Sequence, residues 1–378
     1  MHSPQYTHKD IGKLLKKSLK HDFTTSLPLP MANNCTHTKE NILNNVLFSI
    51  THNVYVAYGS KRLQQQHICP SDDTVFYHLN KLNTKQVFST FTQANTCLLT
   101  QAAQQGIFTN PLQCGLDIHK VPWYGEKKDV HVLGMERVRG TNFGHAYASI
   151  ECVHTTARYT LAALPLHQFT KKEQMIKYLI TEASNHIDIG LLFLDREFFD
   201  VESLTTLRGL LVWFVIPADH NTLVKKYIIQ AHHQGVNIPG TESYAYITPY
   251  TMKKGKQSVT ITLVVILKPS KKSGETWDEF AYVTNMSVTL KNALELAESY
   301  RNRWGIETGY RVKEDVRGKT CSRQYPVRLL FQLLSILLYN LWQLCNLILR
   351  VKLHWDKKGY LVILPEFKDI ISDQLSGR

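Results

Sequence analysis

Closely spaced cysteines are lacking from this chain, and acidic residues are outnumbered by basic ones. Seven cysteines are present, and no two of them lie within four residues of each other. This spacing argues against a zinc knuckle and a full disulfide framework, and it favours reduced, mostly buried thiols in an intracellular protein. Lys and Arg number 44 against 31 Asp and Glu, which gives a net charge of +13. A polyanionic partner such as nucleic acid is therefore favoured over an acidic small molecule.

The beginning of the sequence lacks the apolar core of a secretory signal, and no internal repeat is apparent. An uninterrupted membrane-length apolar run is also lacking. Residues 329–349 come closest, but polar residues recur every three or four positions along them, namely Gln332, Ser335, Tyr339, Gln343, Asn346 and Arg350. This period predicts an amphipathic helix packed on a sheet. We therefore expect no export and no membrane partner.

The length of 378 residues predicts two or three domains. We expect a helical, DNA-binding N-terminal domain over residues 1–110, a catalytic core over 111–218 and 287–352, a β-rich insertion over 219–286, and a C-terminal tail over 353–378. Residues 71–79 and 82–104 form either a helix-turn-helix-like reader of duplex DNA or an ordinary helical bundle. Residues 9–20 predict a basic amphipathic helix.

Short apolar runs dominate after residue 112. Strands are predicted at 115–119, 141–153, 159–164, 189–195 and 210–217, and helices at 171–186 and 201–207. In the insertion, residues 258–268 and 279–284 are β-like, with a lysine-rich loop between them that is either solvated surface or a track for a phosphate backbone. Helices resume from about 289 to 350. The layout is a mixed α/β fold.

The tract over residues 299–311 places a carboxylate among aromatic and cationic side chains. Helical spacing puts Tyr300, Arg303, Glu307, Arg311 and Glu314 on one stripe. Such a stripe is often a solvated face held by Glu–Arg pairs. However, the tract also contains two glycines, at 305 and 309, and each weakens a helix by about 1 kcal/mol relative to Ala. These glycines predict close approach of a ligand or another segment.

Two aspartates stand where α/β sheets place their chemistry. Asp117 lies in or at the end of the first predicted strand, and Asp195 ends a later one. Either alone is more often a turn former or helix cap. Together with Glu307, they form an oxygen-rich set that suits Mg²⁺ or Mn²⁺. Other residues were weighed beside them: Glu197 and Asp200 as rival acids, His119 in a structural role, Trp213 and Trp342 in the core, and Trp123, Tyr124, Trp304 and Tyr310 as stacking platforms.

Three blocks resemble the DDE transposases of the bacterial and archaeal insertion-sequence type. They are residues 116–125 around Asp117, residues 194–199 around Asp195, and the tract from Tyr300 to Glu307, which matches the family pattern of Tyr, two residues, Arg, three residues, Glu. The resemblance covers roughly residues 112–350. It implies an RNase H-like, retroviral-integrase-like mixed sheet with flanking helices, and a β-rich insertion before the last catalytic helix.

The resemblance also implies roles for residues. Asp117, Asp195 and Glu307 are the expected catalytic triad and metal ligands, and Tyr300 and Arg303 the expected DNA contacts. The family usually has a Lys seven positions after the Glu, where this chain has Glu314. Lys313 comes one residue early, and Arg311 is better placed on the stripe, so both remain candidate DNA contacts.

The implied activity is cleavage and strand transfer of an insertion sequence with Mg²⁺ or Mn²⁺, as two ions. The implied partners are double-stranded DNA, as terminal inverted repeats and target, and a second copy in an end-paired homodimer. The implied location is the cytoplasm of a prokaryotic cell. Two alternatives stay open: an RNase H-fold nuclease without strand transfer, and an inactive transposase-derived DNA-binding protein.

Overall fold

The computed structural model describes residues 11–12, 23–65, 69–108, 111–153, 158–270, 276–355 and 359–376. Most of the predicted basic helix at 9–20 lies outside these residues. The described N-terminal residues include the helices α1 (Lys39–Thr51), α2 (Val56–Gln64), α3 (Asp72–Leu79) and α4 (Thr84–Gln104). Three of them begin at side-chain caps, Thr38, Ser71 and Asn83, which accept hydrogen bonds from the first-turn backbone.

Ten strands form one mixed sheet. Their bounds are β1 (Leu112–Pro122), β2 (Val132–Val138), β3 (Thr141–Cys152), β4 (Thr160–Pro165), β5 (Ile189–Leu194), β6 (Phe214–Pro217), β7 (Val236–Asn237), β8 (Tyr244–Lys254), β9 (Gln257–Pro269) and β10 (Trp277–Thr284). The order is β2-β3-β1-β5-β6-β10-β9-β8-β7, and β4 pairs with β3. Strands β1, β5 and β6 are parallel to one another, and the other pairs are antiparallel. The predicted mixed α/β fold is confirmed.

Seven further helices accompany the sheet: α5 (Lys172–Ser184), α6 (Val201–Gly209), α7 (Thr222–Gln234), α8 (Leu290–Ser299), α9 (Trp304–Asp315), α10 (Tyr325–Lys352) and α11 (Leu364–Ser376). The residues predicted as an insertion continue the sheet of the core, because β10 pairs with β6 on one side and β9 on the other. The residues predicted as a tail include α11, which packs against α1.

Some elements were not predicted from the sequence. Strands β2 and β8 and helix α7 are absent from the expectations, and the strand expected from residue 210 begins only at Phe214. Leu211 adopts a left-handed backbone conformation (φ 55°), which ends the preceding helix in a turn. Trp213 lies in this turn and is half-exposed, so its predicted place in the core was wrong.

Helix α10 is the central helix of the molecule. It is long and apolar enough to cross a membrane, but 89% of its most apolar stretch is buried inside the protein. The polar stripe from Gln332 to Asn346 is buried too. The Asn346 side chain accepts from the backbone N–H groups of Leu361 and Val362 at 2.8 and 2.9 Å, and Trp342 Nε1 donates to the Val362 carbonyl. The polar stripe therefore fixes the chain that follows the helix.

A buried amide network joins the N-terminal helices to the core. Asn340 on α10 donates to Asn95 Oδ1 on α4 at 2.7 Å, and it exchanges hydrogen bonds with the backbone of Thr160 on β4 at 2.8 and 2.9 Å. Asn95 donates to the carbonyls of Thr160 and Leu161. Helix α4, the longer half of the candidate DNA reader, thus packs along α10. Of the two interpretations of this segment, its placement favours the helical bundle.

Candidate active site

The pairing of β1 with β5 brings the two aspartates together. Leu116 stands opposite Leu194 in this parallel pair, and both side chains are fully buried. Asp117 and Asp195 follow directly, so both extend to the opposite face of the sheet on neighbouring strands. One Asp195 oxygen caps the following 3₁₀ turn by accepting from the Arg196 N–H at 2.7 Å. The two predicted acids therefore meet because of register.

The tract that carries Glu307 is not one continuous helix. Helix α8 ends at Ser299, residues Tyr300–Arg303 form a 3₁₀ turn, and α9 begins at Trp304. The tighter turn changes the directions of the side chains, because a 3₁₀ turn advances about 120° per residue and an α-helix about 100°. As a result, Arg303 is buried against the sheet, whereas Glu307 is half-exposed one α-helical turn later. Arg303 and Glu307 nevertheless stay in contact, so the helix is interrupted while these two residues of the predicted stripe remain side by side.

The guanidinium of Arg303 contacts all three predicted catalytic acids. Its Nη2 lies 3.3 Å from Asp117 Oδ1 and 3.5 Å from Asp195 Oδ2, and its Nη1 donates to Glu307 Oε1 at 3.3 Å. The Arg303 side chain is only 8% exposed, whereas Asp195 and Glu307 are 45% and 49% exposed. Three acids from a central strand, a strand end and a helix thus converge on one cation.

Burial sets the electrostatics of this cluster. It raises the pKa of Asp117, and the attraction of Arg303 offsets that rise only in part. Burial would lower the pKa of Arg303, but the nearby Asp117, Asp195 and Glu307 contribute to a net rise. The fixed positive charge of Arg303 therefore keeps the three acids close together where they would otherwise repel one another.

These acids fit a divalent cation by the chemistry of their donors, because carboxylate oxygens are the ligands that Mg²⁺ and Mn²⁺ prefer. In the described residues, no three His, Cys, Asp or Glu side chains stand close enough together to hold a metal ion as they are. The Arg303 guanidinium occupies the space between the acids. Cation binding therefore requires Arg303 to share or leave its present position.

Tyr300, a predicted DNA contact, holds the 3₁₀ turn to the sheet. Its hydroxyl donates to the Leu194 carbonyl at 3.2 Å, immediately before Asp195, and its ring packs edge-on against Phe193. Burial raises the pKa of its hydroxyl. Asn302 makes a second contact between the 3₁₀ turn and the sheet, because it donates to Gln113 Oε1 on β1 at 2.9 Å. Tyr300 therefore positions the strand end that carries Asp195.

Lys313, another predicted DNA contact, lies in the interior. Its Nζ forms an ion pair with Glu151 on β3 and donates to Thr160 Oγ1 at 3.2 Å, and both charged side chains are at most 5% exposed. This burial corrects the prediction, because Lys313 faces the sheet and not solvent. The helical spacing already predicted that Lys313 lies off the Glu307 side of α9. It did not predict the partner, Glu151, which lies 162 residues earlier in the chain.

Helix α9 approaches the sheet closely at two glycines. A Cβ on Gly309 would lie 3.1 Å from Glu151 Oε2, and a Cβ on Gly115 of β1 would lie 2.1 Å from Ile306 Cδ1. Tyr310 and Ser149 share a hydrogen bond at 3.0 Å in the same interface. The close approach inferred for Gly309 is thus made by the neighbouring strand.

His119 and Asp200 have structural roles, whereas the contact of Glu197 is made by its backbone. The His119 ring packs on Tyr310 at 4.8 Å, and burial, with Arg317 and Lys313, lowers its pKa to about 4, so it is neutral near pH 7. Asp200 caps α6 and pairs with Lys172 at 2.9 Å. The same lysine donates to the Glu197 carbonyl at 2.7 Å.

Among the remaining predicted contacts, the exposed residues are Arg311 on α9 and Tyr124 after β1, the latter 67% exposed. Trp123 is buried and donates to the Glu126 carbonyl at 2.7 Å, and Tyr310 is part of the α9 interface. The side chain of Trp304 lies outside the described residues. Tyr124 therefore keeps the accessibility that a stacking platform requires.

The sequence over residues 156–341 matches the family model described as the transposase DDE domain. The match includes Asp195 and Glu307 and begins after Asp117. A comparison with curated proteins found no match.

The fold is similar to a solved structure of piggyBac transposase in a synaptic complex with hairpin DNA. The TM-score is 0.55 with 10% sequence identity, over 98% of this chain and 80% of that one. At this identity the likeness concerns the fold. It extends over nearly the whole chain, including the N-terminal helices and the strands beyond β6.

Proposed function

We propose that this chain, which carries the DDE domain of transposases, cuts the ends of an insertion sequence and joins them to target DNA. The observation that carries the proposal is the convergence of Asp117, Asp195 and Glu307 on Arg303, within 3.3 to 3.5 Å of its guanidinium. Acids far apart in the sequence meet beside two central strands of the sheet, and the half-exposed Asp195 and Glu307 leave a DNA phosphate access to them.

The three acids would hold divalent cations, proposed as two Mg²⁺ or Mn²⁺ ions. When bound, such ions supply the activation of an attacking oxygen and the stabilisation of a leaving oxygen in phosphoryl transfer. The chain contributes placement: Tyr300 fixes the end of β5, and the Lys313–Glu151 pair fixes α9 on β3. Arg303, freed from some of its acids, is placed to contact the non-bridging oxygens of a phosphate.

The proposed substrate is double-stranded DNA, first as terminal inverted repeats and then as target. The net charge of +13 and the likeness to a transposase solved with DNA support this substrate. A homodimer that pairs two ends and action in the cytoplasm of a prokaryotic cell are parts of the same proposal, and they rest on the insertion-sequence resemblance. Light scattering of the protein with and without end DNA tests the dimer.

The decisive experiment uses DNA duplexes that carry the inverted repeats flanking the reading frame. With Mg²⁺ or Mn²⁺, the wild type is expected to cut the ends and to join a 3′-hydroxyl donor to a plasmid. Glu307→Gln is expected to abolish both reactions and to retain DNA binding, since one metal ligand is lost and no basic contact is removed. Lys225→Gln, an exposed change on α7, is the matched control.

The outcomes separate the alternatives. Cleavage without joining would indicate a nuclease of the same fold. DNA binding without metal-dependent cleavage would indicate an inactive descendant. Unchanged cleavage by Glu307→Gln would show that the proposed site is wrong.

A further inference from the structure

A cavity of about 660 Å³ lies beside the proposed active site. The end of β1, the end of α9, the loop over residues 316–324 and the first turns of α10 form its walls, and Asn53 and Tyr55 of the N-terminal part complete it. Its size is within the range of small-molecule and nucleotide sites. The proposed mechanism uses none of its lining residues.

The cavity has a cationic rim. Arg317, Lys319, Arg323 and Arg328 line it together with two acids, Glu314 and Asp315, so the formal charge of these six residues is positive. Lys319 and Arg323 are exposed. Arg328 lies over the Trp123 ring at 4.4 Å and donates to the Ser322 carbonyl at 2.7 Å, which fixes the loop. An exposed cationic rim favours a phosphate at the entrance.

Two buried hydrogen-bond acceptors at the cavity have no partner among the described residues: His145 Nε2 and Gln332 Oε1. The Nδ1 atom of His145 lies 3.1 Å from the His131 carbonyl and must donate to it. Burial lowers the pKa of His145 to about 4, so the ring is neutral and Nε2 carries a lone pair. Unpaired buried acceptors are costly, and they fit a ligand that brings N–H donors.

Aromatic rings complete the chemistry of the cavity. Tyr124 extends from its wall with an exposed ring, and Trp123 and Tyr147 are buried beside it. A nucleobase combines a stacking face, N–H donors and an attached phosphate, which matches these rings, acceptors and cations. A duplex keeps its bases stacked inside, so only an unpaired nucleotide can enter.

We infer that this cavity binds an unpaired nucleotide of the DNA substrate, with its phosphate at Lys319 and Arg323, its base against Tyr124, and its N–H donors at His145 and Gln332. The inference rests on the proposed function. Seven helical residues separate Glu307 from Glu314 at the cavity wall, about 10 Å along α9.

The test measures binding in EDTA, so that no cleavage contributes. Fluorescent duplexes carry a four-nucleotide 3′ tail of adenines, of thymines or of abasic residues with the same phosphates, and anisotropy with the full chain gives each Kd. The wild type is expected to bind the adenine tail at least tenfold tighter than the abasic tail. The thymine tail is expected to be intermediate, because thymine lacks an amino group.

Single substitutions test the acceptor, the stacking ring and the phosphate contact of the cavity separately. Gln332→Leu is expected to lose the preference for adenine and to keep the melting temperature of the wild type, since its Oε1 has no partner to lose. Tyr124→Leu, an exposed change, is expected to weaken the adenine and thymine tails alike. Arg323→Gln is expected to weaken all three tails equally and to reduce the salt dependence by about one phosphate contact. The control Lys225→Gln keeps the order of the three tails.

Equal affinity of the wild type for adenine and abasic tails would overturn the inference. So would retention of the wild-type preference in both Gln332→Leu and Tyr124→Leu. These results are independent of the proposed reaction: metal-dependent cleavage that requires Glu307 would still stand without a tail preference. A tail preference without cleavage would overturn the proposed reaction. The inference that the cavity binds a nucleotide would still stand.

Discussion

Lys313 and Glu151 form a buried ion pair that fastens α9, the helix of Glu307, to β3, the strand beside Asp117. Ser149 donates to Glu151 Oε1, the same carboxylate oxygen that binds Lys313, and accepts a hydrogen bond from the Tyr310 hydroxyl. Neither charge has access to solvent that would compensate for the loss of its partner. The pair therefore fixes where Glu307 stands relative to the two aspartates.

Breaking this pair on one side is expected to be costly. Lys313→Met should lower the free energy of unfolding by about 3–5 kcal/mol, because it leaves a buried carboxylate without a partner. The double variant Lys313→Met with Glu151→Leu should be more stable than the single one. Urea unfolding measures both. The exposed pair Lys254–Glu202 is the control, and Lys254→Met should cost far less than Lys313→Met, because solvent screens an exposed pair. An equally small loss for Lys313→Met would contradict the anchoring role.

The contact between α9 and β1 predicts a compensating pair of changes. Gly115→Ala should destabilise the protein by about 1–3 kcal/mol, because its Cβ would overlap Ile306 Cδ1. Ile306→Val removes that atom, so Gly115→Ala should cost less in the Ile306→Val background than in the wild type. Gly134→Ala on β2, where a Cβ meets nothing within 4 Å, is the matched control. Equal costs of Gly115→Ala in both backgrounds would refute the contact.

Arg303 is expected to act as the counter-ion of the metal-free acids. Arg303→Gln should lower the melting temperature in EDTA, because three carboxylates lose their shared cation. Addition of Mn²⁺ should then raise the melting temperature of the variant more than that of the wild type, in which Arg303 competes for the same oxygens. Arg301→Gln, an exposed change two residues earlier, should leave both values unchanged. A smaller Mn²⁺ shift in Arg303→Gln would argue against this competition.

The raised pKa of Asp117 has a predictable effect on stability. Because the folded pKa lies above the unfolded one, the folded state holds the extra proton between the two values, and stability falls as pH rises through that window. Asp117→Asn should therefore stabilise the metal-free protein at pH 7, and the gain should disappear below the ordinary pKa of Asp. Melting curves in EDTA from pH 3 to 7 measure this. A destabilised Asp117→Asn protein at pH 7 would show that the attraction of Arg303 outweighs burial.

The amide network at Asn340 predicts coupling between the N-terminal helices and the core. Asn340→Leu leaves Asn95 Oδ1 and the Thr160 N–H without that partner, and should cost at least about 2 kcal/mol. Gln230→Leu, which removes an exposed hydrogen bond to Tyr246, should stay within about 0.5 kcal/mol. A single cooperative unfolding transition is expected in both variants, since α4 and α10 belong to one core. Separate melting of the N-terminal helices would contradict the coupling.

The sequence by itself indicated the candidate acids and many of the local elements. Alternating and helical periods predicted β3, β5, α5 and α6 within a few residues, because those signals depend on neighbours along the chain. The family pattern singled out Asp117, Asp195 and Glu307, whereas the meeting of the two aspartates depends on the parallel register of β1 and β5. The sequence did not predict the strands with weaker hydrophobic patterns, such as β2 at the exposed edge of the sheet.

The tertiary structure decided which acids each cation pairs with. Arg303 and Lys313 look alike in the sequence as basic residues near Glu307, yet one reaches the three acids and the other is held by Glu151. Helical spacing placed Lys313 off the stripe of Glu307, but its partner lies on a strand more than 150 residues away, which that spacing does not encode. The same holds for the acceptors of His145 and Gln332, which only the packing of β3 against α10 brings to one cavity. Side chains acquire such roles from long-range contacts, and local periodicity carries no record of them.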